Sequence, residues 1–401
     1  MEYLVKRKAP LWRVLCAPLL SLFGSCYALG QEGTGNAGLE YGLAAELRYD
    51  DNIFLSDTVE IDSWILQALP YVRGTLFSDG NTYQLQYLMD HAEYVDSSED
   101  TYTDHNLTLD INHRFTHRQA IVAEAAYRRL TERRGTGFSE EPNGIVDSPD
   151  DYDHMNLGLR YLLGVPTAAL RFEFFGKYNQ LDYSSSYVGD SRDYSSAELG
   201  VQSRYRIGAR TDVLLEYRRL MVGYDNVPLD FDGNALNLDS DEDYFLAGVA
   251  WEMTAKTKGE VKIGQSKRDF DEGEFSNSDF HWEANIEWRP KSYSKFILSS
   301  GRISQETYGS GLYVNSQSYN LSWLHSWSGR LRSELLVGIV EDVYEDSDRT
   351  DDRNFWGAQV GYDYAPWLAF DLGYRYREND STFDEVNYKQ NSLFLKASVE
   401  F

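Results

Sequence analysis

The sequence predicts an all-β fold, a single closed antiparallel transmembrane β-barrel of about 18 strands. Three observations lead there. Segments alternating apolar with polar residues recur along almost the whole chain, which is the period of a strand with one greasy and one wet face. The connections between them alternate between short turns and longer acidic loops. The closing stretch from Asn391 sets Leu393, Leu395, Ala397, Val399 and Phe401 against Ser392, Lys396, Ser398 and Glu400, and it finishes on an aromatic ring. Soluble strands rarely end that way, whereas closing strands of outer-membrane barrels often do.

Taken in order, Lys6, Arg7 and Lys8 lead into the apolar run Val14 to Phe23, and Cys26, Tyr27 and Ala28 put small residues before a cut. Residues 1–28 are expected to be a secretory signal peptide; a lipoprotein signal acylated at Cys26 is the rival reading. Residues 29–38 form a Gly-rich flexible leader and 39–401 the barrel. Both cysteines, Cys16 and Cys26, fall in the signal, so no disulfide is expected in the mature chain. Cleavage removes Lys6, Arg7, Lys8 and Arg13 against Glu2, three net positive charges, and takes the net charge from −26 to −29. So acidic a surface excludes nucleic acid as a partner.

The first strand alternates Tyr41, Leu43, Ala45, Leu47 and Tyr49 with Glu46 and Arg48. The second, Trp64 to Phe77, contains Pro70, which implies a bulge or a locally unpaired edge. Tyr83 to Asp90, Asn106 to Asn112, Ile121 to Tyr127, Met155 to Tyr161, Leu170 to Tyr178, Ala197 to Tyr205 and Val213 to Tyr217 follow. The second half supplies Phe245 to Met253, Gly259 to Gln265, Phe280 to Trp288, Phe296 to Ser300 and Tyr319 to Trp327. Leu331 to Ile339, Trp356 to Tyr364, Leu368 to Tyr376 and the closing strand complete the set. Short turns such as Ser78 to Asn81 and Ala365 to Trp367 alternate with long connections such as Arg134 to Asp151 and Asp225 to Ser240. A soluble propeller, the chief rival, requires no such alternation.

Tyr41, Tyr49, Tyr127, Tyr161, Tyr178, Tyr205, Trp251, Trp288, Trp327, Tyr362 and Tyr376 stand near strand ends, where two interfacial girdles are expected. In hydrocarbon an open sheet edge is not tolerated, so first and last strands must pair, bringing Leu43 and Leu395 together. Parity then predicts the lumen lining. It comprises Arg48, Gln84, Gln86, Asp110, Arg114, Glu124, Arg128, Arg171, Glu173 and Lys177 in the first half. Glu216, Arg218, Glu260, Lys262, Arg332, Glu334, Asp371, Arg375, Arg377 and Lys396 line it in the second. Leu393, Leu395, Val399 and Phe401 are the expected signal to the barrel assembly machinery.

Tyr49, Asp50, Asp51, Asn52, Ile53 and Phe54 end the first strand, and the two aspartates and the asparagine are turn formers. This hexapeptide, so placed, resembles the opening motif of an outer-membrane β-barrel porin family associated with exopolysaccharide export. The resemblance implies an eighteen-stranded barrel, and in characterised relatives an exit pore for a secreted polysaccharide. Such a pore works beside a periplasmic export protein that has no membrane span of its own. No catalytic or ligand residue carries over from the family.

Histidines are scattered, with only His113 and His117 close, across a turn, so no metal is expected. The run Asp239 to Asp243 lacks the glycine and spacing of a calcium loop and reads as solvated surface. Neither an enzyme nor a cofactor is expected. The expected function is an outer-membrane channel of a Gram-negative bacterium, in contact with lipid, whose lumen passes a polysaccharide. A general or solute-selective porin is the alternative, and a partner-binding barrel without conductance the third.

Overall fold

The computed structural model describes residues 37–140, 148–184, 193–227, 237–254, 256–271, 275–307 and 310–401. The expected signal segment 1–28 lies outside them, as does the leader up to residue 36.

Among the described residues there are eighteen strands, in the order foreseen. They are β1 (Gly38–Asp50), β2 (Ser63–Ser78), β3 (Asn81–Tyr94), β4 (Tyr102–Thr116), β5 (Gln119–Glu132) and β6 (Asp150–Leu163). Next come β7 (Leu170–Tyr183), β8 (Tyr194–Arg206), β9 (Thr211–Tyr224), β10 (Ser240–Thr254), β11 (Thr257–Phe270) and β12 (Ser276–Lys291). The last are β13 (Ser294–Gln305), β14 (Tyr313–Ser326), β15 (Leu331–Glu345), β16 (Thr350–Ala365), β17 (Leu368–Ser381) and β18 (Tyr388–Glu400). Each pairs antiparallel with the next, and β1 pairs with β18, so the sheet is a ring. Among the described residues no helix is long and apolar enough to cross a membrane.

The strands outrun the sequence segments mainly at their loop ends. Beyond Tyr217, for example, β9 continues through Arg218, Arg219 and Leu220 to Tyr224. Above the hydrocarbon the outer face meets water, so nothing there enforces an apolar alternate residue, although the ladder itself continues.

Pro70 interrupts the β2–β3 ladder without a bulge. The flanking pairs Ala68↔His91 and Tyr71↔Leu88 share one register, so two pairs are missing and no residue is inserted. At the closing seam Leu43 faces Val399 and Leu395 faces Leu47, which corrects the expected Leu43–Leu395 contact by four residues. Periodicity fixes which face a residue takes, whereas the stagger of a closed sheet fixes its partner.

The outer face is apolar and exposed, with Leu199 at 60%, Leu215 at 60% and Phe245 at 63% of full exposure. A continuous oily belt of this kind is stable only against hydrocarbon. Rings bound it at both ends. On the turn side Phe401 stacks on Tyr41 (5.7 Å) and Trp367 (6.5 Å), and Trp288 on Phe296 (5.2 Å). On the loop side Tyr49 meets Trp64 (5.3 Å) and Tyr217 meets Phe245 (4.9 Å).

Candidate functional site: the lumen and its loop-side mouth

Alternation and ladder register place all twenty sequence-derived lining residues on the inner parity, but they do not act alike. Along β6 to β12 they fuse into one ion-pair chain. Glu173 joins Arg160 (2.7 Å) to Arg204 (2.7 Å), and Arg204 reaches Glu260 (2.9 Å). Lys262 bridges Glu216 (3.1 Å) and Glu283 (2.6 Å), and Glu283 continues to Arg218 (2.6 Å) and His281 (3.1 Å). Glu198 links Arg218 (3.6 Å) to Lys177 (2.9 Å), while Arg171 pairs with Asp212. Glu216 and Lys262 are buried, so this wall is filled by its own charges. Such groups are retained under burial only because each has an opposite partner.

The facing wall is less tightly linked. Arg332 holds Asp363 and Asp371 (2.6 Å), and Glu334 accepts a hydrogen bond from Gln359 (3.2 Å). Lys396 lies in the ladder row of Glu46 and Asp371, and Arg48 is 3.5 Å from Glu46. Arg375 sits 4.3 Å above the ring of Phe394. Phe394 breaks the alternation of the closing strand, and its interior place under a guanidinium explains how an aromatic is accepted there. Arg377 shares the inner parity of β17 with Arg375 and Asp371.

Between these walls, on β3 to β5 and along the edge where β6 and β7 meet the ion-pair chain, charge pairs are sparser. Glu124 and Lys177 are exposed on either side of Gly158 in one ladder row, and Asp110 and Gln84 continue that row. Gln86 accepts a hydrogen bond from Arg73 (2.8 Å) and Arg128 donates to Asn156. Arg114 is exposed at the turn end. The inner row of this stretch therefore carries the charges Asp110 and Glu124, with Lys177 at its edge joined to Glu198 (2.9 Å).

Three devices narrow the loop-side mouth. The first is the β5–β6 connection. Arg134 forks onto Asp100 (2.8 and 2.6 Å) and lies 4.1 Å above the Phe54 ring. Gly135, at φ +72°, can approach Phe54 because a Cβ there would stand 2.1 Å from its carbonyl oxygen. Farther on, Glu140 reaches Arg349 (3.2 Å), which forks onto Asp351 (3.0 and 2.6 Å) across the mouth in the β15–β16 hairpin. Burial pushes the Glu140 carboxyl above its ordinary range, although Arg353 and Arg349 pull it back and Asp351 raises it further. A raised acid favours the docked state while protonated and loses that advantage as pH rises through the raised value. Docking of this loop, followed by protease cleavage, is expected to weaken with rising pH, and Glu140→Gln to flatten the response; an unchanged slope in that variant would assign the titration elsewhere.

The second device is a lapped joint. The β12–β13 ladder runs from the turn only as far as Trp282↔Arg302, although β12 stays paired with β11 to Ser276 and β13 with β14 to Gln305. Above that point Arg302, Ser304 and Tyr313, outer-parity residues, touch inner-face groups of β10–β12. Arg302 meets Asp279 (3.1 Å), Ser304 donates to Glu242 (2.9 Å), and Tyr313 packs on Phe270 (6.2 Å) and accepts from Asn277 (2.7 Å). Glu306 is gripped by Arg268 (2.7 Å) and by the Tyr224 hydroxyl (2.7 Å). The loop-side ends of β13 and β14 thus lie inside the wall of β10–β12.

The third is a band of inward tyrosines that the sequence reading missed. Tyr152 meets Tyr183 (5.2 Å) and Tyr194 meets Tyr224 (5.4 Å) on four consecutive strands. These four are not among the rings assigned to the girdles, and parity sets them apart, since their positions lie in phase with lining charges such as Glu198 and Glu216.

The hexapeptide acts as a clasp on the closing seam. Asp51 accepts from the Asn391 backbone N–H (2.7 Å) and side-chain amide (2.7 Å). Asp50 accepts from Gln390 (3.1 Å) and Ser392 (3.3 Å). Asn52, buried, donates to the carbonyls of Ser56 (2.8 Å) and Lys389 (3.0 Å) and accepts from the Ser56 N–H (3.3 Å). Ile53 packs against Ile65, Ala92, Tyr94 and Tyr102.

A family model described as "Putative beta-barrel porin 2" matches residues 39–401. Among solved structures, OccAB4 of Acinetobacter baumannii aligns with TM-score 0.47 at 9% identity over 93% of this chain and 100% of that one. OpdK of Pseudomonas aeruginosa, solved with vanillate, aligns with TM-score 0.47 at 12% identity over 90% and 99%. OccK2 (OpdF) of the same organism, in complex with glucuronate, aligns with TM-score 0.48 at 9% identity over 90% and 98%. No curated protein matches the chain.

Proposed function

Because the chain belongs to that β-barrel porin family and is a channel-type barrel of the Gram-negative outer membrane, we propose that it passes small polar solutes by diffusion along the β3–β7 side of its lumen. The observation carrying this reading is the unequal filling of the interior. One wall is packed with its own ion pairs, and the mouth is crossed by the Glu140–Arg349 bridge and the lapped β13–β14 ends, which favours small solutes over a wide polymer. The inner row of β3–β7 contributes two carboxylates, Asp110 and Glu124, while Lys177 is paired with Glu198, so a modest preference for cations follows.

The test is recording in planar bilayers. The purified barrel is expected to conduct with mild cation preference in a salt gradient, and Asp110→Lys with Glu124→Lys to move the reversal potential toward anions. A folded barrel that never conducts overturns this reading and favours the partner-binding alternative.

Passage of a polysaccharide is the second reading, and the band Tyr152, Tyr183, Tyr194 and Tyr224 favours it, since aromatic rings stack on sugar faces. It requires a wider mouth and the periplasmic export partner expected from the sequence. A deletion strain that loses surface polysaccharide while taking up small solutes normally would support this second reading against the first.

A further inference from the structure

We propose that the β12–β13 joint is the gate of this channel: the loop-side ends of β13 and β14 lap inside β12 in a low-conductance form and swing out to pair flush with it in a high-conductance form. This rests on the channel reading above and adds its regulation.

The register already contains the second arrangement. Extending the existing ladder past Trp282↔Arg302 would set His281 opposite Ile303, Phe280 opposite Ser304 and Asp279 opposite Gln305. Both strands are long enough, since β12 runs on to Ser276 and β13 to Gln305, each held by its other neighbour. The joint is therefore a ladder left unzipped at one end.

The unzipped edge of β12 suits exposure. Ser276, Asn277, Ser278 and Asp279 are polar, and they lie beyond Phe280, whose outward ring is exposed at the loop side of the belt. Backbone groups there can bond water, which hydrocarbon would forbid.

What holds the lap is polar and specific. Glu306 is shared by Arg268 and Tyr224, Ser304 is held by Glu242 and Arg302 by Asp279, while Tyr313 is fully buried. In the flush form these outer-parity side chains leave the lumen, so the movement clears the mouth beside the tyrosine band. Two pairings of the same strands, exchanged by breaking these polar contacts and completing a backbone ladder, constitute a two-state element.

In the lapped form Phe280 and Ser304 lie on opposite faces of β12, outward and inward, so cysteines at these positions cannot join. In the flush form they are direct cross-strand neighbours. Phe280→Cys with Ser304→Cys in the full barrel, oxidised in membranes, is expected to cross-link and to raise single-channel conductance about twofold or more, reversibly with reductant. Ile286→Cys with Leu298→Cys, opposite each other in the paired part of the seam, is the positive control, and the single-cysteine variants account for Cys16 and Cys26. Glu306→Gln, which weakens the latch, is expected to speed cross-linking of the test pair. If the control pair joins and the protein conducts but the test pair does not join, or joins without changing conductance, the gate is overturned and the channel stands. If the test pair joins while neither form conducts, the channel reading falls and the gate with it.

Discussion

Replacing Leu395 with arginine lowers the stability of the folded barrel by about 2–4 kcal/mol, the cost of a cation on the lipid face near the middle of a span. Leu395 is 51% exposed on the outer face of β18, opposite Leu47 and Leu372, and has aliphatic neighbours on both sides. A guanidinium there meets hydrocarbon with no partner within reach. Gln84→Arg is the matched control, because Gln84 faces the lumen in the row of Asp110, where a cation finds water and a carboxylate. Urea unfolding in vesicles, read by the heat-dependent mobility of the barrel on gels, measures both. Equal losses in the two variants would mean that the outer face does not contact lipid.

The second large effect is at Asn52. Its buried side chain makes three hydrogen bonds, two that brace the β1–β2 connection at Ser56 and one that ties it to the backbone of Lys389 in β18. Alanine removes all three and leaves carbonyls at Ser56 and Lys389 without that donor, which together cost about 2–4 kcal/mol. The same unfolding measurement applies, with proteolysis of the β1–β2 connection as a local readout. Asn52→Asp separates the contributions: it keeps acceptance from the Ser56 N–H but loses donation to both carbonyls, and its loss should approach that of alanine. A change within about 0.5 kcal/mol, typical of an ordinary surface site, would sink the clasp.

Strand number, order and turn placement were legible because hydrocarbon and backbone pairing impose a strict period of two wherever a strand crosses the belt. The inner parity of residues such as Glu216 and Asp371 follows from that period alone. What the sequence could not show depends on pairing at a distance. The Leu43–Val399 register requires the stagger of the ring. The lap at β12–β13 requires knowing where a ladder stops, and Arg302 and Tyr313 carry the parity of outward residues although they touch the inside of β12. The inner tyrosines were hidden for a related reason. Near strand ends a tyrosine is equally suited to a headgroup layer and to a wet mouth, and only phase with neighbouring charges tells them apart.

The clasp also bears on the order in which the molecule is made. Asp51 and Asn391 are 340 residues apart, and bringing such distant points together carries an entropy penalty of roughly 5 kcal/mol before any bond forms. Hairpins joined by short turns incur almost none of it and can form as the chain emerges. The last strand is synthesised last, so until it arrives β1 waits with an unmatched margin, the species most prone to stick to a second chain. Whatever shepherds this polypeptide to its destination therefore has one edge above all to shield, and its task ends when residues 50–52 engage 389–392.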